Sequence, residues 1–192
     1  MEREIAFTGI GGQSIQLGAQ ILARAAVLEG RQVMLLGTYG GTMRGGNTEA
    51  TLVVADAPIS TPPIVSETWA ALVMHHRYWE ALRPKLRPGG VVAVNSTLFE
   101  GELDREQQRV LDVPATRIAT DQDAPLSACL VLVSAFANAT ALLGLDSLLA
   151  GMRESVPPYR RQHLEANEKA LRAGFAAASA GMAPAFPERA TA

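Results

Sequence analysis

A glycine turn near the amino terminus constrains the fold more than any other feature. Residues 5–7 form a short apolar run, glycines follow at Gly9, Gly11 and Gly12, and an apolar-periodic segment extends over residues 14–29. This order predicts a strand, a tight turn and a helix. Glycines allow positive φ at the turn and let backbone N–H groups face outward at the positive helix terminus. The pattern predicts a parallel α/β domain with an anion-binding pocket at its first turn.

The composition is typical of one globular domain that belongs to an assembly. The 192 residues predict a domain over residues 1–180 and a disordered, proline-containing tail over 181–192. Apolar residues make up 48% and charged residues 19%, which indicates that part of the surface is a subunit interface. The net charge of −2 argues against nucleic-acid binding.

Cysteine usage and the amino terminus narrow the class further. Cys129 is the only cysteine, which excludes an intrachain disulfide and a zinc site or iron–sulfur cluster built from this chain's thiolates. The chain does not begin with a positive segment followed by an apolar core, so we expect a cytoplasmic protein.

The periodicity predicts a Rossmann-like three-layer α/β/α domain with a mainly parallel sheet. Residues 33–36 read as a fully buried second strand, completing a βαβ unit. A glycine-dense loop at 37–47 is of the kind that carries function. Further strands are predicted in four segments: 48–55, 69–74, 91–95 and a last, shorter one within 113–120. Between them, residues 75–82 predict a short helix.

The segment Ala124–Leu145 has no charged residue. Its length would permit a membrane span, but serine, asparagine and threonine interrupt it, so we expect a buried helix and no membrane span. Helices are also predicted at 148–154 and at about 160–178.

The glycine turn nearly matches the dinucleotide-binding fingerprint. Ser14 replaces the third glycine, and no acidic residue that could hold a ribose ends the second strand at 36–39. Three interpretations remain open: a turn that serves strand–helix packing alone, a pocket for an anion or a cofactor tail without nucleotide specificity, and an NAD or FAD site.

Few other side chains offer chemistry. Arg44 could bind phosphate or carboxylate, or form an inter-subunit salt bridge. His75 and His76 are adjacent, so on a helix they cannot chelate one metal ion together. His163 is expected to be solvated and Cys129 to act as a small apolar residue. Since no set of residues has catalytic spacing, the chain resembles a binding or assembly domain without its own reaction centre.

Two motifs in order make a resemblance specific. The chain has Gly9-Ile10-Gly11-Gly12-Gln13, followed by Tyr39-Gly40-x-x-Met43-Arg44-Gly45-Gly46. Together they resemble the gamma subunit, or gamma domain, of the 2-oxoacid:acceptor oxidoreductases, which act on pyruvate, 2-oxoglutarate, branched-chain 2-oxoacids, indolepyruvate or phenylglyoxylate. The likeness continues through four further segments, at 56–59, 86–91, 138–145 and 167–174.

The resemblance implies a reaction shared among several polypeptides. The family oxidatively decarboxylates a 2-oxoacid on thiamine diphosphate, passes electrons through iron–sulfur clusters to ferredoxin or another acceptor, and usually transfers the acyl group to coenzyme A. Thiamine diphosphate, Mg and the clusters are then expected on partner subunits: alpha, beta and a ferredoxin-like delta. This chain alone would be inactive. A free-standing NAD- or flavin-binding protein and a purely structural assembly subunit are the alternatives.

The resemblance assigns candidate cofactor-binding residues and no catalytic or metal-binding residue. They are Gly9, Gly11, Gly12 and Gln13 in the turn, and Arg44, Gly45, Gly46 and Asn47 facing a partner subunit or the coenzyme tail. The family usually has glycine where this chain has Ser14, which predicts a narrower turn or a hydroxyl cap on the helix. It also commonly has an acidic residue where this chain has Thr42, so Arg44 is left freer for a partner or ligand.

Overall fold

The computed structural model describes residues 1–39, 45–60, 62–182 and 184–186. Within them, one sheet of six strands forms the centre of the fold, in the order β2-β3-β1-β4-β5-β6. The strands are β1 (Glu2–Ile10), β2 (Gln32–Tyr39), β3 (Asn47–Ala55), β4 (Thr68–Val73), β5 (Leu86–Asn95) and β6 (Arg109–Val113).

The sheet is mainly parallel, as predicted. Strands β1, β4, β5 and β6 run parallel, whereas β3 pairs antiparallel with both β1 and β2. Ile5, opposite Leu52 on one side and Ala70 on the other, lies in the fully buried centre. The predicted βαβ unit therefore exists with β3 inserted between its two strands.

The insertion overturns one prediction, that residues 33–36 form a fully buried strand. Because β3 occupies the place beside β1, strand β2 is displaced to the end of the sheet. Met34 is 42% exposed and Leu36 is 37% exposed.

Helices cover both faces of the sheet, which confirms the three-layer α/β/α class. The helices are α1 (Ile15–Leu28), α2 (Trp79–Leu82), α3 (Ala115–Asp121), α4 (Ala128–Ala139), α5 (Leu145–Ser155) and α6 (Leu164–Ala177). The larger core lies between one face and helices α1 and α3–α6. The smaller core packs Trp79 and Leu82 of α2 against Ala71, Val73 and Val92 on the other face.

Most of the charge-free segment is buried, as predicted, but Leu126 is exposed and the segment is not one helix. It contains a 3-10 turn at Pro125–Ser127, then α4, and it reaches the start of α5. Every residue of α4 except Asn138 is buried. Its polar side chains are satisfied internally: the Ser134 hydroxyl donates to the Leu130 carbonyl at 2.9 Å. No described helix is long and apolar enough to cross a membrane.

Residues 113–120 do not form the last strand. Strand β6 ends at Val113 and the next residues form α3. Asn95, at the end of β5, caps this helix: its Oδ1 accepts from the Thr116 amide at 3.1 Å, and its Nδ2 donates to the Thr116 hydroxyl at 2.8 Å. The cap comes from a distant strand, so the local sequence, with its β-branched residues, could not reveal it.

The described part of the tail packs against the body. The amide of Ala185 donates to the Thr140 carbonyl at 2.7 Å, and Phe186 is buried beneath the guanidinium of Arg31. Residues 187–192 lie outside the described residues.

Candidate functional site

The glycine turn is closed by its own glutamine. The Gln13 amide donates to the Ile10 carbonyl at 3.2 Å, and the Gln13 Oε1 accepts from the Ile10 amide at 2.9 Å. A Cβ on Gly9 would lie 2.7 Å from that Oε1, so glycine is needed for the side chain to fold back. Gly12 has a φ of +103°, a backbone conformation that residues with a side chain rarely adopt. Gln13 therefore braces the turn.

The second glycine-rich segment meets this turn directly. The Gly11 amide donates to the Gly46 carbonyl at 2.8 Å. A Cβ on Gly11 would lie 3.3 Å from the Gly45 nitrogen, a tighter contact than almost all real ones. The predicted site residues Gly45 and Gly46 thus join the first turn in one unit. Arg44 lies outside the described residues.

These bonds change the expected electrostatics of the turn. The amides of Ile10, Gly11 and Gln13 donate to protein acceptors and do not face outward. The amides of the first turn of α1 have no intrahelical acceptor, as in any helix, and that turn has no acidic side chain. Any anion site here therefore depends on the helix terminus more than on the glycine turn itself.

Ser14 does not cap α1, so the expected hydroxyl cap is wrong. Its backbone is left-handed, with a φ of 59°, and its side chain makes no capping bond. The hydroxyl donates instead to the Leu126 carbonyl at 3.1 Å. Leu126 itself is 69% exposed. Sequence reasoning missed it because Leu126 belongs to the charge-free segment that predicts burial.

Two buried polar atoms near this edge lack a hydrogen-bond partner among the described residues: Asn47 Oδ1 and Thr8 Oγ1. Asn47 lies opposite Ile10, and its Nδ2 donates to Glu49 Oε1 at 2.7 Å. A buried polar atom left unpaired costs about 1–3 kcal/mol. Asn47 Oδ1 is therefore an acceptor for which a water or a ligand N–H or O–H would be a favourable partner.

Two histidines follow the adjacent strand β4 at the same edge. Across the parallel β1–β4 pair, Thr8 lies opposite Val73 and accepts a backbone hydrogen bond from Met74. His75 comes next, and its Nδ1 accepts from the Arg77 amide at 3.1 Å.

The hydrogen bonds give the Nδ1 atoms of the two imidazoles opposite roles, because Nδ1 of His75 accepts and Nδ1 of His76 donates. His76 Nδ1 lies 3.1 Å from the Leu98 carbonyl, to which it donates, and the two rings are 4.4 Å apart. Burial lowers the pKa of His75 below its ordinary value, and the neighbouring His76 and Arg77 add to this shift. Neutral His75, which accepts at Nδ1, therefore has its proton on Nε2.

This edge is the point at which the chain reverses its direction of winding. From β1 the chain passes through α1 to the β2 end of the sheet, and from β4 it passes through α2 toward β6. In open α/β sheets, ligands bind outside the carboxyl ends of the strands at such a point. The turn, Asn47 and the histidine pair lie there, although the sequence did not predict the histidines as site residues.

The remaining candidates lie elsewhere. Cys129 is buried, and desolvation raises the pKa of its thiol to about 12, so it acts as a small apolar residue. His163 is exposed at the start of α6. Among the described residues, no group of three or more His, Cys, Asp or Glu side chains could hold a metal ion.

The fold and the site together define a Rossmann-like domain. In this domain two glycine-rich segments meet at the point where the chain reverses its direction of winding. The family described as POR, pyruvate ferredoxin/flavodoxin oxidoreductase, matches residues 4–177, and the chain belongs to this family. The 2-oxoglutarate synthase subunit KorC of Archaeoglobus fulgidus is 30% identical over 175 residues, which cover 91% of this chain and 87% of that one.

Two solved structures are also similar to this chain. The gamma subunit of a keto/oxoacid ferredoxin oxidoreductase from Geobacter sulfurreducens PCA is 25% identical, with a TM-score of 0.78 over 92% of this chain and 96% of that one. A 2-oxoglutarate:ferredoxin oxidoreductase from Magnetococcus marinus, with 2-oxoglutarate, coenzyme A and succinyl-CoA bound, shares the fold. Its TM-score is 0.81 at 17% identity, over 97% of this chain and 33% of that one. The chain is a gamma-type component of a multisubunit 2-oxoacid oxidoreductase.

Proposed function

We propose that this chain is the gamma subunit of a cytoplasmic oxidoreductase that oxidatively decarboxylates a 2-oxoacid, usually to an acyl-CoA, and passes the electrons to ferredoxin or another acceptor. The observation that supports this most is the family match across residues 4–177, in a chain whose two glycine motifs are joined by the Gly11–Gly46 hydrogen bond. Its partners are the alpha and beta subunits and a ferredoxin-like delta subunit.

The proposal divides the chemistry among the subunits. Thiamine diphosphate, Mg and the iron–sulfur clusters belong to the partners, and coenzyme A is the co-substrate whose thiol accepts the acyl group. This chain's part is to hold the coenzyme tail or the partner surface that surrounds it. The residues proposed for this role are Gly9, Gly11, Gly12, Gln13, Arg44, Gly45, Gly46 and Asn47.

The described residues fit an amphipathic coenzyme tail. The first-turn amides of α1 suit a phosphate, and Asn47 Oδ1, which has no hydrogen-bond partner among the described residues, suits an amide N–H. The exposed Leu126, whose carbonyl accepts from Ser14, offers an apolar side chain for the rest of the tail. His75 adds a neutral N–H donor at the same edge. A purely structural role is the second candidate, because the amides of Ile10, Gly11 and Gln13 already bond within the protein.

Native mass spectrometry of the protein, purified gently and without air from its own cells, tests the subunit assignment. We expect co-purification with larger chains that contain thiamine diphosphate and iron–sulfur clusters, and turnover of at least one 2-oxoacid from a panel. A lone monomer or homodimer that retains a nicotinamide or flavin nucleotide would overturn the proposal.

Replacing Arg44 with alanine tests the residue-level role. In the assembled enzyme, R44A should lower activity by about tenfold, the effect of about 1.4 kcal/mol, with little change in the unfolding midpoint of this chain. A raised KM for coenzyme A would indicate ligand contact, and loss of subunits on purification would indicate partner contact. R161A, at an exposed arginine in the turn before α6, is the matched control. Equal loss of folding in R44A would contradict the role.

A further inference from the structure

The sheet edge formed by strand β2 is open to pairing with another strand. Strand β2 is the last in the sheet order, and no described segment pairs with its far side. Its eight residues include no charged side chain and no proline. Solvent-exposed edge strands normally have lysine, proline or a bulge, because an open row of N–H and C=O groups is a template for another strand. An edge that lacks all of these is open to pairing with another strand.

Both faces of this edge are apolar. Met34 and Leu36 are exposed on one face. On the other, Val33 and Leu35 line an open groove of about 330 Å³ together with Val27 of α1, which is itself 41% exposed. The groove is mainly apolar, and its polar lining residues are Gln20, Arg24 and Ser155. An occupant therefore has to supply a strand for the edge and apolar side chains for both faces.

A second copy of β2 meets these requirements in one register. If two β2 strands pair antiparallel about a two-fold axis at Leu35, Met34 of one copy lies opposite Leu36 of the other, and Leu35 lies opposite itself. Gln32 then faces Thr38, so polar residues meet at both ends and apolar residues in the middle. Side chains opposite each other across antiparallel strands lie on the same face, so this pairing keeps both apolar faces continuous.

The helices above the sheet fit the same arrangement. Helix α1 packs over β2 and β3. Neighbouring strands are about 4.8 Å apart, so pairing β2 with its copy places the two α1 helices about 10 Å apart. Packed helices are separated by about 8–10 Å. The helix contact enlarges the interface toward the roughly 800 Å² per partner that stable complexes bury.

We propose that two copies of this chain pair through their β2 strands about a two-fold axis at Leu35, with their α1 helices side by side. The result is a continuous twelve-stranded sheet, twice the six strands of one copy. This isologous contact needs no ligand and is independent of the function proposed above.

A single cysteine at the axis tests the register. We expect L35C to form a disulfide-linked dimer under mild oxidation, because directly opposed Cβ atoms are about 4.5–5.5 Å apart and a small movement brings them into bonding range. Native Cys129 does not compete, because it is buried. L98C, at a leucine that is 36% exposed away from this edge, is the control and should give no disulfide-linked dimer on a non-reducing denaturing gel after the same oxidation.

Sedimentation of the full chain tests the association itself. The natural sequence should be dimeric, and M34K/L36K should be monomeric but still folded, with an unchanged circular dichroism spectrum, since both side chains are exposed in the single chain. A monomeric natural chain without cross-linking of L35C would overturn the proposal. So would a dimer that M34K/L36K leaves intact, or an edge that becomes covered only when other subunits are added.

Discussion

The amide of Gly11 donates a 2.8 Å hydrogen bond to the carbonyl oxygen of Gly46. This contact joins the turn after β1 to the segment that begins β3, so two motifs that are separate in the sequence form one structural unit. The unit lies at the carboxyl edge of the parallel strands, where ligands bind in this class of fold. A substitution in either motif should therefore alter the geometry of both.

Substituting Gly11 by alanine should disturb function more than folding. The new Cβ would lie 3.3 Å from the Gly45 nitrogen, so the second loop must move by a few tenths of an ångström. We expect activity of the assembled enzyme to fall by about tenfold, because small misplacements of positioning groups are costly, whereas unfolding free energy should fall by less than about 1 kcal/mol. G181A, where the nearest atom to a Cβ is 3.8 Å away, is the control in both assays. Full activity in G11A would refute the prediction.

Gly174 should be essential to stability. A Cβ there would lie 2.2 Å from the carbonyl oxygen of Val131, which is backbone and cannot rotate away, so α6 would have to separate from α4. We expect G174A to lower the unfolding free energy by about 2–3 kcal/mol in urea denaturation, as overpacked cores do. G144A, with its nearest contact at 3.6 Å, should be nearly neutral. Similar stabilities for the two variants would show that the helices separate easily.

His75 should make stability depend on pH below neutrality. Its folded-state pKa is lowered, chiefly by burial, so in the window between that pKa and the unfolded value near 6.5 the unfolded chain binds more protons. The stability associated with neutral His75 is therefore complete above about pH 6.5 and is lost as pH falls through the folded pKa. Urea denaturation at several pH values should show a shallower slope for H75Q than for the natural chain.

Phe186 should anchor the described part of the tail. It is buried, and the Arg31 guanidinium lies 4.0 Å from the centre of its ring. We expect F186A to lower the unfolding free energy by about 3 kcal/mol, through lost burial and a cavity. Y159A removes an aromatic ring that also contacts an arginine but is 73% exposed, so it should cost less than about 1 kcal/mol. A neutral F186A would mean that the tail contributes nothing to the fold.

Local sequence patterns were sufficient to predict features that depend on residues close together in the chain. Apolar and small residues recur at helical spacing in the first helix, which indicates a buried face, and the residues of this face are buried in α1: Ile15, Gly18, Ala19, Leu22, Ala25 and Ala26. Gly18 in that face allows close approach, since a Cβ would lie 2.8 Å from the sulfur of Cys129. The absence of charge over 124–145 predicted burial because charged side chains are almost never buried without a partner.

The candidate site could be predicted only in part. The described glycines and Asn47 were identified from their motifs, and the structure brings Gly11 and Gly46 together. The sequence did not identify Leu126, which meets the turn through the Ser14 hydroxyl, or the histidine pair, which follows strand β4 where it pairs with β1. The sequence also could not show that the Gln13 side chain accepts a hydrogen bond from the Ile10 amide, which was expected to face outward.

By itself, the sequence determined the strand–turn–helix opening, the α/β class, the buried segment that contains α4 and the family. These follow from residues close in the chain, or from motifs whose order is sufficient for recognition. Only the tertiary structure decided that β3 pairs antiparallel between β1 and β2, which exposes Met34 and Leu36 at an edge, and that Asn95 turns residues 115–121 into a helix. Strand order and distant caps depend on contacts between residues far apart in the chain, and no local pattern encodes them.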